Sequence, residues 1–333
     1  MRVVISGATG FIGNAIGAAH DRRGDYATGI ATRSGVLGPM LLDGLNIRDS
    51  RAVDACIGQA KPDLVYHCAA ISTLSKTSDL TAIEDMILTN VVGTLNMLMA
   101  CRKHGVRAFV FVSSDKQYGS TVWLPASDEA AATFENGGVY ELSKAWGDQL
   151  SRLFAGISAD MSVRVARLVN VYGPRDLKWS RIVPGTIKRC IEGIPAQITA
   201  GSAGASVREY IYIDDAVKAL LALGDHAIIG GPSAGFTQDP SGLLVPVAYN
   251  IGTPHRHSAG DLIRIIREAV TLVLGVETPE PEMVIAPVGS FEPRNQTTST
   301  HRLSEVLGEW EPRTVESALP ETIDWYAAAL HNG

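Results

Sequence analysis

Two short stretches place chemically capable side chains at spacings that could act together. "VYELSKAW" holds Tyr140 and Lys144 four residues apart, which puts both on one face of a helix. An ammonium beside a phenol stabilises the phenolate and lowers its pKa, as a base that deprotonates a hydroxyl near neutral pH requires. "VSSDKQYGS", Val112 to Ser120, sets a hydroxyl, a carboxylate and an amine in a row as Ser114, Asp115 and Lys116, directly after the apolar run "AFVFV". A YxxxK pair recurs by accident in many proteins, and an Asp-Lys pair is often a solvated turn. Their meaning depends on the elements that carry them.

Those elements alternate. Apolar strand-like runs ("RVVISG", "YATGIAT", "LLDGL", "DLVYHCAA", "AFVFVSS", "SVRVARLVNVYGP") are separated by helical patterns. The helices are expected from about Phe11, near Arg51 to Gln59, through "NVVGTLNMLMACRKHG" and through "VYELSKAWGDQLSRLFAG". The rhythm predicts an α/β fold, a doubly wound parallel sheet covered by helices on both faces. After Pro174 it loosens into short elements, with "REYIYIDDAVKALLAL" and "SAGDLIRIIREAVTLVLG" the clearest. The expected division is a doubly wound α/β domain over 1–173 and a smaller mixed α/β C-terminal lobe over 174–333, partly interleaved with the first. Ile229 to Gly242, "IGGPSAGFTQDPSG", reads as an exposed loop.

The opening strand runs into "SGATGFIGNAIG", with Gly7, Gly10 and Gly13 leading into a helix. The first glycine allows the tight turn, the second lets backbone approach a pyrophosphate, and the third lets helix pack on strand. The helix N-terminus then favours the phosphate charge. Phe11 and Ile12, which open that helix, belong to the same expected cofactor contacts. After the second strand, "GIATRSG" offers Thr32, Arg33 and Ser34 and no acid. An acid there would bind ribose hydroxyls, whereas Arg33 between hydroxyls suits a 2′-phosphate, so NADP is favoured and NAD is possible. Asn46 and Ile47 are expected at the adenine, and Ala69 and Ala70 of "HCAA" along the dinucleotide.

Composition narrows the partners. The chain has 333 residues, 46% of them hydrophobic and 19% charged, as in ordinary globular proteins. Its net charge of −6 disfavours nucleic acid or an anionic membrane as partner, so any anionic ligand must be met by local arginines. Cys56, Cys68, Cys101 and Cys190 have no metal-ligand spacing and read as buried free thiols. The first residues show no signal-peptide pattern and no apolar run is long enough to span a bilayer, so a cytoplasmic protein is expected.

The glycine triplet, "HCAA", "VSSDKQYG", "YELSK", "NVYGP" and "REYIYIDDA" resemble, in order and spacing, the extended short-chain dehydrogenase/reductase superfamily. The resemblance spans roughly Met1 to Asn250, with a fainter echo near "EPRNQTTSTHRLSEVLG". It implies a nicotinamide dinucleotide, a C-terminal lobe for a nucleotide-diphosphate hexose, and a homodimer formed through the YxxxK helix. Within the superfamily, "SSDK" is similar to the form found in sugar-nucleotide 4,6-dehydratases of the CDP-glucose type. The resemblance implies Tyr140 as base for the C4 hydroxyl, Lys144 as its electrostatic support and ribose ligand, and Ser114 as partner to O4. It makes Asp115 the acid for the C6 hydroxyl and Lys116 the C5 base. Arg208 and Arg294 are similar to phosphate-binding positions, Asn170 to a diphosphate or sugar contact, and Arg181 is a further substrate candidate. The alternatives are a nucleotide-sugar epimerase, which needs only Ser114, Tyr140 and Lys144, and a non-catalytic dinucleotide-binding regulator.

Overall fold

The computed structural model describes residues 1–32, 41–72, 79–118, 138–199, 206–238, 244–284 and 295–331, and only the backbone at 41–43, 199, 244 and 245. In the first half, strands β1 (Arg2–Ser6), β2 (Tyr26–Ala31), β3 (Leu41–Asp43), β4 (Leu64–His67), β5 (Ala108–Ser114) and β6 (Ser162–Leu168) alternate with helices. The helices are α1 (Phe11–Arg22), α2 (Ser50–Ala60), α3 (Leu80–Ile87), α4 (Gly93–Lys103) and α5 (Val139–Ile157). The second half contributes β7 (Asn170–Tyr172), α6 (Ile182–Ile191), β8 (Gln197–Thr199), β9 (Val207–Tyr212), α7 (Ile213–Gly230), β10 (Phe236–Gln238), β11 (Leu244–Pro246) and β12 (Ala248–Ile251). It ends with β13 (Arg256–Ser258), α8 (Ala259–Leu274), β14 (Glu282–Val284), β15 (Asn295–Gln296), α9 (His301–Leu307) and α10 (Val315–His331).

Seven strands form one sheet in the order β12-β6-β5-β4-β1-β2-β3, and every pairing in it is parallel. The order reverses at β1, which leaves a crevice at the carboxyl ends of β1 and β4. Successive strand residues point to opposite faces, and both faces are covered. Val3 and Ile5 of β1 lie in one apolar core and Val4 in the other. The same holds along β5, where Val110 joins the first core and Phe109 and Phe111 the second. Burial on both faces is why these strands are continuous apolar runs rather than alternating ones. This is the Rossmann-type α/β architecture that the rhythm of the sequence predicts.

The second half adds β12 to the edge of the main sheet and builds a smaller sheet around β9. There β13 pairs antiparallel with the start of β9, β15 pairs parallel with it, and β7 pairs parallel with its end. Two ribbons, β8 with β14 and β10 with β11, complete the strand pairings.

Two local expectations change. The helix expected from Asn90 begins ten residues earlier as α3 and passes through a π-helical turn, Leu88–Val92, into α4. The stretch read as an exposed loop from Ile229 is largely ordered: α7 runs to Gly230, Ser233–Gly235 forms a 3₁₀ turn, and Phe236–Gln238 is β10. Its backbone is satisfied by the main sheet, since Ser162 Oγ and Arg164 Nη2 both donate to the Gly231 carbonyl, at 2.8 and 3.0 Å. Residues 239–242 of that stretch lie outside the described residues.

Candidate active site

The side chains singled out by the sequence gather at the carboxyl ends of β1, β4 and β5. At the end of β1 the chain turns at Gly7, which has φ +69°, and Gly7 N donates to Ile30 O at 2.9 Å. A Cβ on Gly7 would lie 2.7 Å from Ala69 N, and one on Gly13 would run into the Gly7 carbonyl oxygen. Gly10 N donates to that same oxygen at 2.9 Å, and Gly10 itself is exposed as the N-cap of α1 with no side chain capping the helix. The first turn of α1 thus presents backbone N–H groups without a competing side-chain acceptor, a cradle that fits a dinucleotide pyrophosphate. Phe11 and Ile12 are half-buried at its start, Ala69 and Ala70 flank it from the end of β4, and Ala69 N donates to Ser6 Oγ at 3.2 Å. Ile47 is buried and Asn46 exposed after β3, two strands along the sheet from β1. Arg33 lies outside the described residues.

Beside this cradle, β5 ends at Ser114 and the chain winds into a 3₁₀ turn over Asp115–Tyr118. The Tyr140 phenol, from the first turn of α5, shares a hydrogen bond with the Ser114 side chain. Burial pushes this phenol up to about 12, opposed by the Ser114 bond and the positive charge of Arg181. Lys144 is fully enclosed: its amine donates to the Val112 carbonyl at 2.5 Å and sits 4.5 Å from the centre of the Phe111 ring. Burial brings it down to about 8, with Cys68 and Asp148 acting the other way. The phenol is therefore raised where the YxxxK spacing suggests a lowered one, because the ammonium turns to the strand carbonyl and the burial of the hydroxyl dominates.

Asp115 and Lys116 are not a solvated turn. Asp115 is 1% exposed, and Lys116 Nζ bonds both of its carboxylate oxygens, at 3.1 and 3.2 Å. The same amine donates to Gln296 Oε1 at 2.6 Å, and Gln296 Nε2 returns a bond to the Asp115 backbone carbonyl at 3.3 Å. Burial lowers the Lys116 amine, Asp115 raises it, and Arg208 lowers it further. Arg208, on β9 and buried, is thereby placed with the pair, and its Nη1 also donates to the Val207 carbonyl at 2.9 Å. Asn170 Nδ2 donates to Glu209 O at 3.0 Å, beside β9. Arg181 is about two-fifths exposed and paired with Asp176 at 3.0 Å, within reach of the phenol's field. Arg294 lies outside the described residues.

Four sets of residues shape this site without having stood out in the sequence. Asn90, in the π-helical turn, accepts from Ile71 N at 2.8 Å and donates to Ile71 O and Ser143 Oγ, each at 2.9 Å. Ser143 in turn donates to the Tyr140 carbonyl at 2.8 Å, so Asn90 ties the segment after β4 to α5. A π-helical turn at such a junction is a frequent companion of function. His67, fully buried, bridges Ser6 Oγ at 2.6 Å and Thr94 Oγ1 at 2.9 Å. Thr94 donates to Asn90 O, so it accepts from His67 Nε2–H, and the Ser6 hydroxyl donates to Nδ1. Beneath Ser114, the Asp148 carboxylate accepts from Arg167 Nε and Nη2 at 2.8 and 2.9 Å, from Gln117 at 2.9 Å and from Ser113 at 3.2 Å. The Glu209 carboxyl is pushed up to about 7 by burial, held against this by Thr298 N and Oγ1, each at 2.8 Å.

A phenol–hydroxyl pair, half-buried next to a cradle that fits a dinucleotide, suits reversible oxidation of a carbinol, and the adjacent carboxylate–amine pair suits proton traffic at neighbouring carbons. Residues 3–234 match the NAD dependent epimerase/dehydratase family. The chain is 26% identical to the dTDP-glucose 4,6-dehydratase of Salmonella typhimurium, covering 98% of this chain and 93% of that protein. It is 25% identical to UDP-glucuronic acid decarboxylase 2 of Arabidopsis thaliana, over 96% of this chain and 67% of that one. Among solved structures, the UDP-glucose 4-epimerase of Thermus thermophilus in complex with NAD superposes with a TM-score of 0.79 at 24% identity, over 99% of this chain and all of the other.

Proposed function

This chain belongs to the NAD dependent epimerase/dehydratase family, and on that premise we propose that it is a nucleotide-sugar 4,6-dehydratase, converting a nucleotide-diphosphate hexose to its 4-keto-6-deoxy form. The observation that carries the reading is the buried Asp115 carboxylate held by the half-buried Lys116 amine, beside the Tyr140–Ser114 pair. A 4-epimerase needs the second pair and leaves the first with nothing to do. Burying an ion pair has a desolvation cost that a spare solvated turn would not incur.

In this reading Gly7, Gly10, Phe11, Ile12, Gly13, Asn46, Ile47, Ala69, Ala70 and Lys144 hold the dinucleotide. A bound nicotinamide supplies a temporary store for hydride, taken from C4 and given back at C6. Tyr140 takes the proton of the C4 hydroxyl while Ser114 holds O4. The resulting ketone acidifies the C5 hydrogen, which Lys116 removes, and Asp115 protonates the departing C6 hydroxyl so that it leaves as water. A proton returned to C5 completes the product. The net change is loss of one water with no redox change. Arg208, Arg181, Arg294 and Asn170 meet the diphosphate and sugar on an otherwise acidic protein. The Thr32-Arg33-Ser34 composition favours NADP over NAD, and the cofactor released on denaturing purified protein identifies which is held.

Mass spectrometry of the protein incubated with CDP-glucose, dTDP-glucose, UDP-N-acetylglucosamine, GDP-mannose and UDP-glucuronic acid tests the reading. Loss of one water from a hexose is expected. Loss of carbon dioxide from the glucuronic acid identifies a decarboxylase instead, and a new isomer without mass change an epimerase. In the variant Lys116→Ala, dehydration should vanish while hydride exchange at C4 persists; a normal rate of dehydration removes Lys116 as the C5 base.

A further inference from the structure

We propose that Gln296 is a positioning residue that aims the free valence of the Lys116 amine into the active site. The inference rests on the dehydratase reading above. Gln296 lies 180 residues beyond Lys116, on the two-residue strand β15, and is 1% exposed. Its amide grips the Asp115–Lys116 turn at two points, Oε1 on the Lys116 amine at 2.6 Å and Nε2 on the Asp115 carbonyl at 3.3 Å. The chemistry of the partners fixes which end of the amide faces which, because an amine N–H needs an acceptor and a carbonyl needs a donor.

The consequence follows from the valence of nitrogen. A neutral primary amine has two N–H bonds and one lone pair. Here Asp115 and Gln296 Oε1 each take one N–H, so the lone pair has only the remaining direction. With one acceptor alone, the amine could rotate its lone pair through the positions the second now occupies. After Lys116 takes a proton, both acceptors still hold the ammonium, so the aim is kept while the proton is carried. The charged groups acting on this amine are Asp115, Arg208 and Glu141. Gln296 adds an uncharged acceptor, which restrains the amine without adding the full charge that would keep it protonated. β15 also runs in register with β9 so that Gln296 stands opposite Arg208. The backbone ladder that aims the base therefore carries the arginine proposed to dock the diphosphate.

The test compares the wild-type holoenzyme with Gln296→Leu and Gln296→Glu, on the hexose nucleotide that the wild type dehydrates. Gln296→Leu is expected to lower kcat for dehydration about 100-fold, the cost of a mis-aimed group, with KM for the sugar nucleotide nearly unchanged. Reduced nicotinamide should accumulate, because C4 oxidation continues while elimination stalls. The isotope effect from deuterium at C5 should rise, and Gln296→Glu, which keeps an acceptor but adds the charge that holds the amine protonated, should recover rate only as pH is raised. A purely structural role would lower both partial reactions together and leave the C5 isotope effect where it was, and either result overturns the inference. The Lys116 amine, followed by NMR of ε-labelled lysine in protein without sugar and assigned with Lys116→Arg, should titrate about one unit lower in Gln296→Leu. That measurement stands apart from turnover. A wild type that dehydrates nothing removes the dehydratase reading, whereas dehydration with no shift in Lys116 removes the clamp and leaves the reading intact.

Discussion

Replacing Asp148 by asparagine changes little in shape and removes the charge opposite a guanidinium that has no route to water. Asp148 and Arg167 are each about 1% exposed, joined by two bonds of 2.8 and 2.9 Å, and Arg167 Nη1 continues to the Tyr118 hydroxyl at 2.7 Å. Tyr118 donates to Asn250 Oδ1 at 2.6 Å. The amide of Asp148→Asn keeps one acceptor oxygen and turns an NH₂ toward the donors of Arg167, Gln117 or Ser113. An arginine cannot shed its proton to escape, so it keeps its charge after losing the carboxylate. Breaking a buried pair in this way costs about 3–5 kcal/mol, to be read as the shift of the urea midpoint at constant slope. The pair Asp148→Leu with Arg167→Met should cost clearly less than the sum of its single changes, since removing both charges leaves neither stranded. Bonds to Arg167 hold the Asp148 carboxyl below the usual carboxylate range against the effect of burial. Its contribution is therefore present above the unfolded value of about 3.9 and lost as pH falls through the folded value, so the gap between wild type and Asp148→Asn should narrow only below about pH 4. A cost under about 1 kcal/mol, or strictly additive single changes, would refute the account of this network.

Three shorter predictions concern other parts of the molecule. Arg208→Gln should raise KM for the sugar nucleotide by about 10- to 100-fold, the loss of one charge-assisted contact, while the affinity for the dinucleotide measured by calorimetry stays unchanged. His67 is held neutral with its pKa down at about 3, mainly by burial; the unfolded chain binds the proton first, so stability should fall as pH drops below about 6.5, by about 2 kcal/mol at pH 5, and His67→Gln should flatten that slope in denaturation curves. Trp146, Leu153 and Ile157 are exposed apolar side chains along α5, and Met99 is another on α4; the expected homodimer would cover them, so Leu153→Glu should convert a dimer to a monomer in light scattering.

What the sequence disclosed and what it withheld divide along the distance between partners. The glycine turn, the strand and helix rhythm and the adjacency of Ser114, Asp115 and Lys116 are local, and local pattern is what a single chain displays. The grip of Gln296 on Lys116 spans 180 positions, and a two-residue strand leaves no periodicity to announce it. Arg167 did leave a trace. In "SVRVARL" two arginines interrupt a strand that is buried throughout, and a charge in such a place must meet a partner. The partner's identity, Asp148 on the next helix over, is set by packing of α5 on β6 and has no signature of its own. Arg33, which stands out by its place after the second strand, and Arg294, which stands out only by resemblance, lie outside the described residues.

The adjacency of Asp115 and Lys116 poses a difficulty that the surroundings answer. A bare ion pair stabilises the carboxylate and the ammonium alike, the wrong states for an acid that gives a proton and a base that takes one. In the fold the amine is enclosed, and burial outweighs the attraction of Asp115, so Lys116 moves toward its neutral form. Arg208 adds to that movement, since a second positive charge disfavours the ammonium. If the diphosphate docks on Arg208 as proposed, that repulsion is partly cancelled: the amine becomes a stronger base for the C5 proton, and only the fraction that stays unprotonated can take it. Substrate binding and proton uptake are then linked, and reciprocally so: the affinity for the sugar nucleotide should rise as pH falls through the Lys116 titration. Because the linkage runs through Arg208, the Arg208→Gln variant should bind more weakly and also lose this pH dependence. Calorimetry in buffers of different ionisation enthalpy measures the proton taken up. Equal uptake in wild type and variant would sever the connection and leave burial alone to account for the state of the amine.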